Sequence, residues 1–317
     1  MAKSSSTTQA TTGLLPSTTQ RYHYDIYAII EGTQEIYFGE EVAVNVNLVE
    51  KVKVPRTLPT AQNGRGFEEL EKCYMSPTKR RGIERRTLIW APTAKGLLLG
   101  DQEHCGIPGT CARQECPICC VYGALQPKED ISLVGRLTHS GGVAIQPLLP
   151  EVKQRAMHPS VMTRQEGVTP MPYRREYNEP ALLYPIYNHC FSLTEQEFAS
   201  VAYAFLNALS RLGASNPKGV RIAEGLLRVE STPLLVVDRY LTPLGKRPVI
   251  SPQETNPNIA LEQFREAAFF VFGEREEREI IDRGVVFRRW IGEEALRQLQ
   301  QYSLEFTERV LLGSAEV

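Results

Sequence analysis

Five of the seven cysteines of this chain crowd into one short segment, between Cys105 and Cys120. Four of them, Cys105, Cys111, Cys116 and Cys119, follow the spacing C-x5-C-x4-C-x2-C. Four thiolates that converge on one point form the closed tetrahedral set of a structural zinc site, which leaves no position for a reactive water. The spacing therefore predicts a structural Zn²⁺ ion as the cofactor of this chain.

The residues between the first two cysteines support convergence on one ion. Gly106, Pro108 and Gly109 supply the tight bends that would bring Cys105 back toward Cys111. Two neighbouring side chains offer alternatives, because either His104 or Cys120 could replace one of the four ligands.

Three other chemistries compete for the same segment. The C-P-I-C motif at 116–119 resembles a dithiol redox motif, but such motifs normally lack a third and fourth cysteine nearby. A zinc deaminase needs H-x-E and then P-C-x-x-C; here Glu115 stands in the place of that proline, and His104 has no Glu two residues later. Buried thiols without metal are the remaining alternative, which is our interpretation of Cys73 and Cys190.

Positive charge is concentrated locally on a chain whose formal net charge is only −1. One basic stretch contains Lys79, Arg80, Arg81, Arg85 and Arg86, with Lys95 shortly after it. A second contains Arg155, Arg164, Arg174 and Arg175, among Met157, Met162, Met171 and Tyr173. Such patches can follow a phosphate backbone, and apolar side chains among the arginines can insert between bases. The alternatives are a solvated surface for the charges and ordinary packing for the methionines.

Other candidate sites are weaker. The polar turn at 213–221 carries Lys218 and Arg221 and exposed backbone N–H groups that could hold a phosphate. None of the five histidines lies in a recognised catalytic motif, and the chain has no Walker loop, G-x-S-x-G or H-E-x-x-H.

The coarse pattern predicts a mixture of strands and helices. Strands are expected at 22–30, 42–48, 181–191 and 234–240, and a hairpin from 131–137 and 143–148; helices are expected at 91–99, 195–212, 259–272 and 293–311. Thr194 and Glu197 form a capping box at the start of the best helix. Because the elements do not alternate regularly, we predict an α+β fold, with an antiparallel sheet and helices on one face.

The remaining segments set the domain organisation. The Ser/Thr/Gln-rich residues 1–20 are expected to be a disordered tail, and 21–317 a single domain with a cysteine-rich insertion at about 101–125 and a second insertion at about 150–180. The chain has no apolar run long enough to span a bilayer and no signal-peptide layout at its start, so we expect a cytoplasmic protein that does not contact membranes.

The order of four segments resembles the RAMP superfamily of CRISPR proteins, and more narrowly the guide-RNA-binding backbone subunit of type I-D Cascade complexes. These segments are RRTLIWAPTAKGLLLG (85–100), HCGIPGTCARQECPICCVYGAL (104–125), QRAMHPSVMTRQEGVTPMPYRRE (154–176) and LGASNPKGVR (212–221). The resemblance covers about residues 22–240 and depends on the order of the segments. It implies an RNA-recognition-motif-like (ferredoxin-like) palm with a thumb-like insertion, and copies that stack along the guide RNA.

The resemblance also assigns roles to residues of this chain. Arg155, Met157 and Arg164 would belong to the thumb; Arg85, Arg86 and Lys95 would line the palm together with the neighbouring Arg80 and Arg81; Lys218 and Arg221 would lie in the glycine-type loop. This turn is poor in glycine compared with the family. Some relatives have a catalytic aspartate that cuts RNA, and no aspartate here matches it.

We therefore expect a non-catalytic subunit that binds CRISPR guide RNA, further copies of itself and other Cascade subunits, with target DNA as a further candidate partner. One related alternative is the equivalent subunit of a type IV complex. Another is an endoribonuclease of the same superfamily that uses His139, His158 or His189 as acid or base. A zinc-dependent redox protein is the third.

Overall fold

The computed structural model describes residues 20–34, 41–43, 46–59, 65–147, 151–157, 171–177, 181–213, 219–227, 231–272 and 287–313. Within 41–43, 46–48, 57–59, 65–67, 151–157 and 171–177 the backbone alone is described. The predicted tail, residues 1–20, lies outside this description apart from its last residue.

Strands and helices are mixed along the chain, and their bounds are as follows. The strands are β1 (Tyr22–Gly32), β2 (Glu41–Ala43), β3 (Val46–Leu48), β4 (Lys51–Pro59), β5 (Arg65–Met75), β6 (Ala124–Gln126), β7 (Ile131–Leu133), β8 (Leu137–His139), β9 (Gly142–Val143), β10 (Glu151–Met157), β11 (Met171–Tyr177), β12 (Leu183–Leu193), β13 (Val220–Ile222), β14 (Glu224–Leu226), β15 (Ser231–Pro233), β16 (Leu235–Tyr240) and β17 (Phe287–Ile291). The helices are α1 (Pro77–Ile89), α2 (Leu99–Gln102), α3 (Cys119–Tyr122), α4 (Glu195–Leu209), α5 (Pro257–Phe269) and α6 (Glu293–Phe306), which continues as a π-helical turn (Thr307–Leu311).

The central sheet has the strand order β17-β16-β1-β12-β8, and β13 pairs with one end of β1. All of these pairings are antiparallel, as in the β1–β12 ladder, where Tyr27 lies opposite Tyr187. The prediction of an α+β protein with an antiparallel sheet is therefore confirmed. The narrower ferredoxin-like arrangement stays a prediction.

Strand β1 is buried on both faces, and alternate residues serve two different cores. Tyr24 and Ile26 belong to the larger core, together with residues of α1, α4, α6 and the cysteine segment. Tyr27 and Ile29 point to the smaller core, which α5 covers with Phe264. Helices thus lie on both faces of this sheet, so the expectation of helices on one face is wrong.

The helix predicted at 195–212 is confirmed as Glu195–Leu209, and the capping box is present as expected. The predicted helices at 259–272 and 293–311 are also confirmed within a few residues. The short helix predicted at 91–99 is wrong, because this segment is mostly turn. The helix lies earlier, at Pro77–Ile89, where Ser76 caps the N–H of Lys79 and the basic run forms its first turns.

Two strand predictions need correction, and one further segment has strands that its sequence pattern did not indicate. Residues 131–143 do not form a hairpin with each other: β7 pairs with β6, β8 with β12 and β9 with β5. The single strand expected at 42–48 is two short strands, β2 and β3, which pair with each other. The segment at 150–180, which shows no sustained period, contains β10 and β11, and these two strands are antiparallel partners.

Candidate metal centre and basic surface

The four cysteines of the predicted zinc site lie together. One sulfur from each of Cys105, Cys111, Cys116 and Cys119 lies within 4.8 Å of all the others. The Sγ atoms of Cys105 and Cys119 are 3.3 Å apart, and those of Cys111 and Cys119 are 3.7 Å apart. Tetrahedral zinc–thiolate bonds would hold sulfurs about 3.8 Å apart, so this quartet could hold a metal ion with small adjustments.

Local turns bring the four sulfurs to one point. Cys105 follows α2, and the Gly106 N–H bonds the Gly109 carbonyl at 2.6 Å, which closes the bend that the glycines predict. Cys116 begins a helical turn in which its carbonyl accepts from the Cys120 N–H at 3.0 Å. Cys119 opens α3, so the last two ligands project from one turn of helix.

Neither alternative ligand belongs to the quartet. Cys120 is buried, and its sulfur is not among the four that converge. His104 is exposed and adopts a positive φ of 49°, a backbone conformation that reverses the chain just before Cys105. The all-cysteine set is therefore the one that the geometry favours.

The electrostatics of the quartet suit a cation. Hydrogen bonds from the Cys116 and Cys119 thiols lower the pKa of Cys105 to about 2. The same hydrogen bond raises the pKa of Cys119 to about 11, because the Cys119 thiol must keep its proton to donate to the Cys105 sulfur. Four sulfurs at this distance thus share negative charge that a divalent cation would neutralise.

A second polar cluster fixes α1 to the central sheet. Arg80 has only 2% of its surface exposed, and it donates to the carbonyls of Ser140 at 2.9 Å and Tyr187 at 3.3 Å and to Oδ1 of Asn188 at 2.5 Å. Glu84 lies 3.6 Å from the same guanidinium. Arg80 is therefore buried and bound to internal acceptors, and we remove it from the predicted RNA contacts.

Two further arginines of α1 differ in their surroundings. Arg81 donates to the backbone carbonyl of Tyr122, which lies in α3. Two guanidinium nitrogens of Arg85, Nε and Nη2, are buried without a hydrogen-bond partner in the described part of the chain. A buried donor without a partner is costly, so an acceptor from outside the described residues would stabilise Arg85.

A further cationic pair lies at the end of α1. The Arg86 guanidinium folds back along the helix over Gly82. Trp90 caps the helix and is 49% exposed, and the guanidinium carbon of Arg211 lies 4.6 Å from the centroid of its ring. Burial and the nearby charge of Arg86 lower the pKa of Arg211. We call Arg85, Arg86, Trp90 and Arg211 the α1 surface.

The remaining predicted RNA contacts are scattered. Lys95 is exposed in the turn that follows α1. Arg221 is exposed, but its charge is paired with Glu31 at 2.9 Å. Only the backbone is described for Arg155 and Met157, in β10; Arg164 and Lys218 lie outside the described residues.

Sequence reasoning missed Trp90 and Arg211. Trp90 lies one helical turn after Arg86, so a helix placed over 77–89 would have put both on one side. Arg211 is remote in sequence, and no local signal could have identified it.

The histidines differ in their surroundings. His139 is buried, and its Nε2 lies 2.7 Å from Glu84. His189 is partly exposed, at 26%, and its Nδ1 lies 2.6 Å from Oδ1 of the buried Asp25. The hydroxyls of Tyr27 and Tyr240 donate to the other oxygen of Asp25 at 2.9 and 3.1 Å. His158 lies outside the described residues.

Comparison with solved structures finds matching chains, among them a Csc2 protein. A crystal structure of Csc2 from Thermofilum pendens aligns with 92% of this chain and 88% of its own, at 15% sequence identity and a TM-score of 0.41. No protein-family model matches the chain, and no curated protein matches it. Within the described residues, no helix is both long and apolar enough to cross a membrane.

Proposed function

We propose that this chain is a non-catalytic backbone subunit that binds the guide RNA of a type I-D CRISPR Cascade complex, together with further copies of itself and other Cascade subunits. The order of the four sequence segments supports the subtype. Contacts to the RNA would be made mainly to phosphates and would be independent of base sequence. The equivalent subunit of a type IV complex is the related alternative.

The observation that carries RNA binding is the uncompensated charge of the α1 surface. Within the described ranges, Arg85, Arg86 and Arg211 form no ion pair with a carboxylate. Arg86 and Arg211 are near enough to repel each other, and Arg85 adds a third charge whose Nε and Nη2 have no hydrogen-bond partner among the described residues. Guanidinium groups so placed are stabilised by a polyanion, and phosphate oxygens are suitable acceptors for them.

We assign zinc to the cysteine quartet, which would hold the α1 surface in position. Zinc bound by four thiolates is closed to substrate, which suits a structural role. The quartet leads directly into α3, whose Tyr122 carbonyl holds Arg81 of α1. The ion would thus fix the side of α1 from which Arg85 projects.

Binding to labelled single-stranded RNA at low ionic strength tests the proposal. The full-length protein should bind RNAs of unrelated sequence with similar affinity, and the affinity should fall steeply as salt rises. Sequencing of the RNA that co-purifies with the protein from its native source should return CRISPR repeat and spacer sequence. A protein that binds no RNA, either alone or together with other Cascade subunits, would contradict the proposal.

A second candidate function is metal-independent RNA cleavage, which His189 favours. The Asp25 carboxylate would hold the Nδ1–H of His189, leaving Nε2 as the base. Nε2 would take the proton of a ribose 2′-hydroxyl while the 2′-oxygen attacks the adjacent phosphorus. The bond from phosphorus to the 5′-oxygen would break, and that oxygen would take a proton from water, leaving a 2′,3′-cyclic phosphate and a 5′-hydroxyl.

Incubation of the protein with end-labelled RNA in a chelator separates the two candidates. Cleavage that is lost in His189→Ala and retained in His104→Ala, a substitution of an exposed histidine, would favour the enzyme. Stable binding with intact RNA is the outcome that the scaffold predicts.

A further inference from the structure

We infer that Trp90 is a stacking platform for an unpaired nucleobase, with Arg211 over one face of the ring and the positive charges of Arg211 and Arg86 to attract the adjoining phosphate. This inference rests on the proposed function and deepens it, because it specifies single-stranded RNA as the ligand of the α1 surface. It also adds a contact to the base itself, which the proposed phosphate contacts do not require.

Trp90 is exposed at the end of α1. The chain has two tryptophans, and Trp290 is 3% exposed whereas Trp90 is 49% exposed. A singly exposed apolar side chain is ordinary on a protein surface. Trp90 differs because it is the C-cap residue of α1, a helix held against the rest of the fold by the buried Arg80 and by the bond from Arg81 to Tyr122. The ring is therefore presented from a rigid element.

The Arg211 guanidinium packs against the Trp90 ring. It stands over the ring at 4.6 Å from the centroid, and its Nη1 also reaches Oγ1 of Thr87 at 3.4 Å. A cation over one face of an indole orients the ring and adds positive potential to the pair. Thr87 in turn donates to the Ile83 carbonyl at 2.9 Å, so the support of Arg211 is itself anchored in α1.

The neighbouring charge decides the kind of ligand. Arg86 lies one helical turn before Trp90, and it lowers the pKa of Arg211 through repulsion, after the larger effect of burial. Two apolar residues of the turn that follows α1, Leu97 and Leu98, are exposed like Trp90. An exposed indole with a cation over it and a second positive charge nearby matches a nucleotide, whose base is flat and whose phosphate is anionic. Bases within a duplex do not offer a free face, so the ligand is a single strand.

The experiment uses the full-length, zinc-loaded protein and three probes: single-stranded oligoadenylate, its duplex with oligouridylate, and inorganic polyphosphate. Affinity and tryptophan emission are measured together. We expect the single strand to bind and to quench the emission, because the exposed indole stacks on adenine. Polyphosphate should bind through the arginines without quenching, and the duplex should quench little.

Two substitutions give the matched comparison. Trp90→Ala should weaken oligoadenylate binding about tenfold and leave polyphosphate binding unchanged. Trp90→Phe keeps a ring and should bind with intermediate affinity, and its remaining emission, from Trp290, should not respond to RNA. Zinc content and melting temperature should match those of the unsubstituted protein, since Trp90 is half exposed.

Four other results would overturn the inference, and each has a distinct meaning. Unchanged oligoadenylate affinity in Trp90→Ala excludes stacking while leaving the proposed function intact. An equal loss for oligoadenylate and polyphosphate shows that Trp90 acts only by supporting the arginines. A change in self-association with no change in RNA affinity assigns Trp90 to a contact between copies. If the unsubstituted protein binds no RNA, both the stacking platform and the proposed function fall.

Discussion

The Arg81 side chain donates a hydrogen bond to the backbone carbonyl of Tyr122, and this bond joins the basic helix α1 to the helical turn that carries Cys119. Close packing reinforces the junction. A Cβ on Gly100 would lie 2.7 Å from both the Cys105 carbonyl and Cγ2 of Ile89, so only glycine fits between the cysteine segment and the end of α1. We therefore expect loss of the quartet to alter the position of α1.

Replacement of Cys116 and Cys119 by Ser should remove the bound metal and destabilise the fold by about 3 kcal/mol or more, because the cysteine segment would lose its cross-link. Elemental analysis and urea unfolding measure the two effects. Cys73→Ala is the control, since Cys73 is buried outside the quartet and its loss should leave the metal bound. A double mutant that keeps one equivalent of zinc would contradict the structural site.

Reversal of charge at Arg85 and Arg86 tests the α1 surface. Arg85→Glu/Arg86→Glu should weaken RNA binding by at least about a hundredfold and reduce the slope of log affinity against log salt by about 1.4, the loss of two phosphate contacts. Lys246→Glu/Arg297→Glu makes the same change of charge at two exposed sites elsewhere. If both double mutants bind RNA equally well, the assignment of the α1 surface is wrong.

A buried ion pair between neighbouring strands should dominate the stability of the far edge of the central sheet. Arg289 donates to both carboxylate oxygens of Asp238 at 2.6 Å and also to the carbonyls of Ala267 and Phe270, at the end of α5. Arg289→Ala should cost about 3–5 kcal/mol, because it leaves the Asp238 carboxylate buried and unpaired.

Urea unfolding of Arg289→Ala, Asp238→Asn and the double mutant measures this pair as a cycle. The double mutant should be less destabilised than the sum of the two single mutants. A loss below about 1 kcal/mol in Arg289→Ala would show that the pair contributes little.

Stability at acid pH should depend on Glu197. Burial alone would raise its pKa, but hydrogen bonds from Arg136 and from the Thr194 N–H outweigh this effect and lower it. A carboxylate whose pKa is lowered by folding contributes stability that is complete above its unfolded pKa, about 4.3, and is lost as pH falls through the folded value. Glu197→Gln should lower the melting temperature at neutral pH and flatten its decline under acid conditions. An identical pH profile in the two proteins would contradict this assignment.

The cysteine quartet and α4 could be predicted because their determinants are local. The C-x5-C-x4-C-x2-C spacing and the glycine-containing bend bring the ligands together within one short segment. Likewise, the capping box of Thr194 and Glu197 and the apolar period of α4 lie within the helix itself. Such features need no knowledge of what the segment packs against.

The limits of the helix α1 were missed for a physical reason. Its interior contains Gly82 and a run of charged side chains, so it lacks the apolar stripe by which α4 is recognised. Tertiary contacts stabilise it instead, through the buried guanidinium of Arg80 and its partners on β12. The sequence alone would place this guanidinium at the surface, but it is buried because the folded chain supplies its acceptors.

Residue types and short spacings were thus enough to identify four cysteines that could hold a metal ion, the mixed α and β character and the concentration of positive charge. Only the folded chain decided which charges remain available: Arg80 is buried against internal acceptors, Arg221 is paired with Glu31, and Nε and Nη2 of Arg85 have no hydrogen-bond partner among the described residues. It also brought Arg211 over Trp90 and Asp25 to His189, across wide gaps in sequence. The physical reason is that a hydrogen bond or a ring contact acts over a few ångströms of space, and local sequence does not encode which distant strand or helix will supply the partner.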